Sequence, residues 1–208
     1  MDNLKRRRGR PKISQDAPAN TKAVLLRAGL TWLTTTGFNL SSLDNILRSV
    51  QVPKGSFYHH FDNKEDFGLQ VLDQYRRYFE NKLDRSLKND SVAPLQRLKN
   101  FMADASTSMA RYDYRRGCLI GNLEVEVATL PTAFHQAIID TYHSWQNKVA
   151  GCLRLAQAQG EISPDKECQY LAEIFWIGWE GAVSRARLVS SDIPLHQFGQ
   201  FFLQQLLR

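Results

Sequence analysis

Cysteine is scarce: the 208-residue chain holds only Cys118, Cys152 and Cys168. Three scattered thiols build neither a disulfide framework nor a zinc ribbon, so a reduced protein of the cytoplasm, without metal or cofactor, is expected. Long apolar runs are missing as well. No stretch approaches the roughly 20 apolar residues that span a bilayer. The basic N-terminus continues into Ile13-Ser14-Gln15-Asp16 rather than an apolar segment, which speaks against a signal peptide. Strand-like alternation, internal repeats and low-complexity tracts are also lacking. So are the marks of catalysis: G-x-S-x-G, H-E-x-x-H and a phosphate-binding glycine loop. His59 and His60 lie in the N-terminal third, and none of His135, His143 or His196 stands at a defensible spacing from Cys118, which weighs against an enzyme.

What remains is ordinary in bulk. The chain is 43% hydrophobic and 23% charged, enough apolar material for a core. The charge is unevenly placed. Residues 1–12 carry Lys5, Arg6, Arg7, Arg8, Arg10 and Lys12 against Asp2, so +5 of the net +6 sits there and the other 196 residues carry +1. A dense cationic arm on a near-neutral body fits a strip of negative charge. Lipid binding would need an apolar face beside the arm, which Leu4 and Ile13 do not make, so nucleic acid is favoured. Residues 1–19 read as a disordered arm. Within it, Arg8-Gly9-Arg10-Pro11 resembles an AT-hook core, with a slim glycine between two arginines that reach into a narrow A·T-rich minor groove.

From Asn20 the pattern turns helical, and about nine helices in an all-α fold are expected. Val24, Leu25, Ala28, Leu30 and Leu33 share a face, and Gly37 stands where a C-terminal cap belongs. Ser41 or Ser42 caps a short second helix with Leu43, Ile46, Leu47 and Val50 on one side. Gln51-Val52 forms a tight turn, Pro53 suits a first helical position, and Lys54 to His60 leaves room for about two turns. Three short helices around such a turn match a helix-turn-helix, whose second helix enters the major groove. Ser42, Lys54, Gly55, Ser56, Tyr58, His59 and Lys64 are the candidate DNA contacts, while Phe57 and Phe61 point into the head. Further breaks fall at Asn89-Asp90, Gly117, Leu130-Pro131, Gly160 to Pro164 and Asp192 to Pro194. Gly178, Ala182 and Ala186 recur every four residues beside Phe175, and Phe198 and Phe202 repeat in the last helix. These six are the expected homodimer interface, since a two-fold operator calls for a two-fold protein. Cys118, close after Arg115 and Arg116 at a probable helix start, is read either as a thiol with a lowered pKa or as an inert packing residue.

The run Val52-Pro53-Lys54-Gly55-Ser56-Phe57-Tyr58-His59-His60-Phe61-Asp62-Asn63-Lys64-Glu65-Asp66 resembles the signature of the TetR family of bacterial transcriptional repressors. The resemblance implies a DNA-binding domain over 20–66 and a ligand-binding, dimerising helical domain over 67–208. Arg115-Arg116-Gly117-Cys118-Leu119-Ile120-Gly121-Asn122-Leu123 and Ala172 to Val183 are similar to the acrylate-responsive members, and the placement of Gly117-Cys118-Leu119 also to the electrophile-sensing ones. That similarity implies a dimeric repressor released from a pseudo-palindromic operator by a small-molecule inducer, acrylate or an acrylyl-coenzyme A-like compound, or by cysteine modification. Cys118, Arg115, Arg116, Asn122, Trp145, Trp176 and Trp179 are then the candidate inducer residues. A constitutive DNA-binding protein stands as the alternative.

Overall fold

The computed structural model describes residues 17–207, with side chains described from Thr21. Arg8, Arg10 and the AT-hook-like run lie outside the described residues. The first helix, α1 (Ala17–Thr35), begins three residues before Asn20. Pro18 is compatible with this earlier start, because the N–H it lacks has no intrahelical partner in a first turn. Gly37 then adopts φ +88°, which turns the chain sharply away from α1.

Helix α2 (Leu43–Ser49) and helix α3 (Lys54–Phe57) are joined by a turn in which Gln51 has φ +55° and Val52 N–H donates to Leu47 O at 3.1 Å. Ser42 is the cap of α2, without a side-chain hydrogen bond, while the Ser41 hydroxyl donates to Gly37 O. Pro53 caps α3 rather than starting it. Regular helix ends at Phe57, short of the two turns expected, because Tyr58 to His60 continue as turn that brings Phe61 inward. Phe57, Phe61 and Phe67 form a buried triad, with centroids 5.0, 5.4 and 4.9 Å apart, against Leu25, Ile46 and Leu47. Each such ring contributes about 1.5–3 kcal/mol of burial.

Asn63 accepts the Asp66 N–H at 2.8 Å and starts α4 (Lys64–Leu87), which leaves the head and enters the body. The expected boundary after residue 66 therefore falls inside a continuous helix. Gly29 lets α1 lie against α4: a Cβ there would stand 2.4 Å from the Phe67 ring. The body adds α5 (Pro94–Ala110), α6 (Leu119–Val125), a 3-10 turn (Val127–Thr129), α7 (Thr132–Ala158), α8 (Cys168–Val189) and α9 (Ile193–Leu206). Among the described residues there is no strand, and no helix is long and apolar enough to cross a membrane. Arg97 is 4% exposed on α5 and closes the end of α4 by donating to Leu87 O and Val92 O at 3.2 and 2.6 Å.

The small-residue ridge of α8 is occupied within the chain. A Cβ on Gly178 would meet the Phe198 ring at 2.1 Å, and Phe175 packs on Phe202 at 5.1 Å. Ala182, Ala186 and Phe202 are buried within the chain. All six residues expected at the dimer interface thus serve intrachain packing. A four-residue spacing marks a helix face but not the neighbour that covers it. The exposed apolar residues are others: Ile174, Ile177 and Leu188 on α8, and Phe201 on α9.

Candidate functional site: the DNA-facing head and the cluster at the start of α6

On the head, Ser42, Lys54, Gly55, Tyr58 and His59 are exposed and Ser56 is half-buried, at and beside α2 and α3. Gly55 has nothing within 4 Å of a would-be Cβ, so a duplex backbone can approach it closely. Lys54 pairs with Asp44 at 3.1 Å with both side chains more than half exposed, a weak link that a phosphate can displace. Lys64 is different. Its ammonium donates to Phe38 O at 2.7 Å and lies 4.5 Å over the Phe38 ring. Burial lowers its pKa, with Glu126 opposing. It is engaged inside the head–body junction and does not stand free for a phosphate.

That junction is built on backbone atoms. Asn122 donates to Leu33 O and Thr34 O at 3.0 and 2.9 Å, and accepts from Arg187 at 2.8 Å. Arg187 also reaches Thr35 O at 3.1 Å, and Gly117 N–H donates to Thr34 O at 3.2 Å. The terminal carbonyls of α1, which a helix leaves unpaired, are thereby capped from α6 and α8. Glu126 accepts the Phe38 and Asn39 N–H groups at 2.9 and 2.7 Å. Glycine is called for at position 37 by its φ, and a Cβ there would also push Glu126 Oε1 from its place.

At the other end of α6 stands Cys118, its N-cap residue. Tyr75 from α4 donates to Cys118 Sγ at 3.5 Å, and the Glu180 carboxyl of α8 lies near enough to act on the charge of the thiol. Gly121 makes room for that carboxyl, since a Cβ would lie 2.3 Å from Glu180 Oε2. Tyr142 of α7 donates to Glu124 at 2.6 Å. The aromatic wall runs on from there: Trp145 lies 6.5 Å from Tyr75, 5.9 Å from Tyr142, 4.4 Å from Phe79 and 4.8 Å from Trp176.

The electrostatics overturn the lowered thiol pKa. Burial, and then Glu180, push the Cys118 thiol well up, and burial does the same to Tyr75. Burial raises Glu180 to about 7. The two arginines point elsewhere. Arg115 is exposed and paired with Asp113 at 2.7 Å, while Arg116 donates to Thr31 at 3.0 Å and stacks 4.1 Å over Tyr112. Proximity in sequence did not bring either guanidinium to the thiol, because Asp113 holds the one and Thr31 with Tyr112 the other.

Of the candidate inducer residues, Cys118, Trp145 and Trp176 belong to this cluster. Asn122 works in the junction, and Trp179 stacks with Phe175 at 5.8 Å on the α9 side. The sequence reading missed Tyr75, Tyr142, Glu124, Glu126, Glu180 and Arg187. Glu180 had a signal: it is the one charge between Ile174 and Ser184 on an otherwise apolar run.

Comparison with known proteins supplies the class. Residues 25–71 match the family model of bacterial regulatory proteins of the tetR family, and residues 94–202 match a tetracyclin repressor-like C-terminal domain. The chain is 48% identical over 198 residues to the transcriptional regulator AcuR of Cereibacter sphaeroides, covering 95% of this chain and 90% of that one. It is 32% identical to the HTH-type transcriptional repressor DhaR of a Mycobacterium species, over 82% and 84% of the two chains. The crystal structure of a regulatory protein TetR from Rhodobacter sphaeroides superposes with a TM-score of 0.86 at 47% identity, covering 88% of this chain and 96% of that one. Helix-turn-helix head, all-α body and these matches together show that the chain belongs to the TetR family and is a DNA-binding transcriptional regulator.

Proposed function

We propose that the protein is a dimeric repressor that leaves its operator when a small molecule occupies the cluster at Cys118. The observation that carries this reading is the span of α6. One seven-residue helix has Cys118 at its start, Asn122 on the carbonyls of α1 and Glu126, its C-cap, on the N–H groups after Gly37. A ligand that displaces Tyr75 or Glu180 from Cys118 moves the start of α6, and the head moves with it. The differential affinity of the ligand for the two arrangements sets how far DNA occupancy falls.

In the DNA-bound arrangement Lys54, Gly55, Ser56, Tyr58 and His59 face the major groove, Ser42 meets the backbone, and Arg8 and Arg10 enter an A·T-rich minor groove beside it. Two heads on a pseudo-palindromic operator require two chains. Ile174, Ile177, Leu188 and Phe201, between 38% and 73% exposed, supply an apolar surface on α8 and α9 for a second copy. Such a regulator works in the cytoplasm, where the chromosome is. The protonated thiol favours a ligand that contacts Cys118 over rapid thiolate chemistry.

Anisotropy of a labelled promoter duplex tests this, with wild type and Cys118→Ser titrated at fixed salt, with and without acrylate, the effector that the family resemblance implies. Release of both proteins supports a contact role for Cys118, and release of wild type alone supports covalent sensing. Tight binding by wild type that ignores acrylate and every other small carbonyl compound or oxidant overturns the effector reading and leaves a constitutive binder.

A further inference from the structure

Two polar groups in the cluster have nothing to bind. Trp145 Nε1 and Trp176 Nε1 are the buried side-chain nitrogens without a hydrogen-bond partner among the described residues, on rings 0% and 2% exposed. Buried N–H groups are almost always paired, so two orphans side by side are a departure that calls for an acceptor. The rings touch at 4.8 Å, and Trp145 also lies against Tyr75 and Tyr142, whose hydroxyls engage Cys118 and Glu124. Both spare donors therefore belong to the neighbourhood of the thiol.

The charge around them is one-sided. Glu180 is approached by Tyr75 from α4, Cys118 and Glu124 from α6, and Tyr142 from α7, with no cation in the set. Arg187, on the same helix as Glu180, is spent on Asn122 and Thr35 O. Arg115 and Arg116 are held by Asp113, Thr31 and Tyr112. A half-buried carboxyl group with no cation beside it repels a second negative charge.

We propose that this cluster binds a small carbonyl or carboxyl group through the two indole N–H donors, taking an uncharged ligand directly and a carboxylate only together with one proton, carried on Glu180. The proposal rests on the reading of the Cys118 cluster as the effector site and adds the donors that hold the ligand and the proton that balances its charge. A protonated Glu180 turns from repelling an anion to donating to it, and an amide or ester needs no such change. The value of about 7 for Glu180 puts this exchange in the neutral range.

Propionate and propionamide are suitable probes because neither can add to the thiol. Calorimetric titration of the full-length protein at pH 6, 7 and 8, in buffers of different ionisation enthalpy, gives both affinity and protons taken up. Propionamide is expected to bind equally at all three. Propionate is expected to weaken about tenfold between pH 6 and pH 8, as the protonated fraction of Glu180 falls from about nine-tenths to about one-tenth. In Glu180→Gln the dependence disappears. Trp176→Phe, which keeps a ring and loses a donor, weakens both probes. Propionate binding that is level from pH 6 to pH 8, a pH dependence that survives in Glu180→Gln, or failure of both probes to bind at millimolar concentration overturns the proposal. Promoter anisotropy on the same samples separates the two ideas. Proton-linked binding without DNA release keeps the proposal and removes the effector reading; release without proton linkage does the opposite.

Discussion

Replacing Asn122 with alanine removes the central member of the head–body junction while leaving the DNA-facing residues untouched. Asn122 makes three hydrogen bonds there, two donated to Leu33 O and Thr34 O and one accepted from Arg187. At about 1 kcal/mol per bond the upper sum is about 3 kcal/mol. The residue is half-buried, so water replaces part of what is lost, and about 2 kcal/mol is the expected cost. For a chain of this size that corresponds to a fall in Tm of about 4–8 °C, readable by circular dichroism. The functional effect differs in kind. Operator affinity without effector stays within about threefold, because Tyr58, His59 and Lys54 keep their places, but the effector concentration needed for release rises about tenfold, the equivalent of about 1.4 kcal/mol of lost coupling. Asn122→Asp, which sets an acceptor against two carbonyls, is the harsher variant. An Asn122→Ala protein that is folded and released by effector as readily as wild type would refute the reasoning that α6 couples cluster to head.

Three further outcomes follow from the geometry. Gly178→Ala forces a methyl group against the Phe198 ring and is expected to cost about 1–3 kcal/mol in urea unfolding; an unchanged midpoint would contradict the α8–α9 packing. Glu180 has a folded pKa raised from 4.5 to about 7, so its contribution to stability is full below about pH 4.5 and is lost as pH rises toward 7. Wild type therefore loses stability relative to Glu180→Gln across that window, by no more than about 3 kcal/mol, and equal pH profiles for the two would count against it. Burial raises all three thiols, Cys152 to about 11, so iodoacetamide at pH 7.5 should label Cys118 much more slowly than free cysteine. Labelling at the free-thiol rate in peptide mapping would restore a thiolate sensor.

The helices were legible because their signals are local. Apolar residues at three-to-four spacing, Gly37 after α1, Asn63 before α4 and prolines near helix starts all act within a turn of chain. The inward aim of Phe57 and Phe61 followed from the short turn that precedes them. What failed was everything that depends on which elements meet. Cys118 follows Arg115 and Arg116 in sequence, yet its neighbours are Tyr75, 43 residues earlier, and Glu180 from α8. Gly178 and Ala182 advertise close packing without saying whether the partner is α9 or a second chain. Lys64, placed at a helix start, was read as a phosphate ligand, whereas the chain that turns back at Phe38 takes its charge. The partners of Glu126 and Glu180, the amides after Gly37 and the groups around Cys118, come from distant parts of the chain.

The body holds the head through five main-chain groups, three carbonyls at the end of α1 and two amides after Gly37, together with the side chains of Thr31, Phe38 and Asn39, which meet Arg116, Phe134 and Thr129. Main-chain atoms are the same whatever side chains they carry. Apart from Thr31, Gly37, Phe38 and Asn39, then, the junction asks little of the head's amino acids, and the surface around α2 and α3 is free to diverge without breaking the connection to the body. Heads with other operator preferences can be grafted onto this body, provided they keep Thr31, Gly37, Phe38 and Asn39 and present the same five backbone groups.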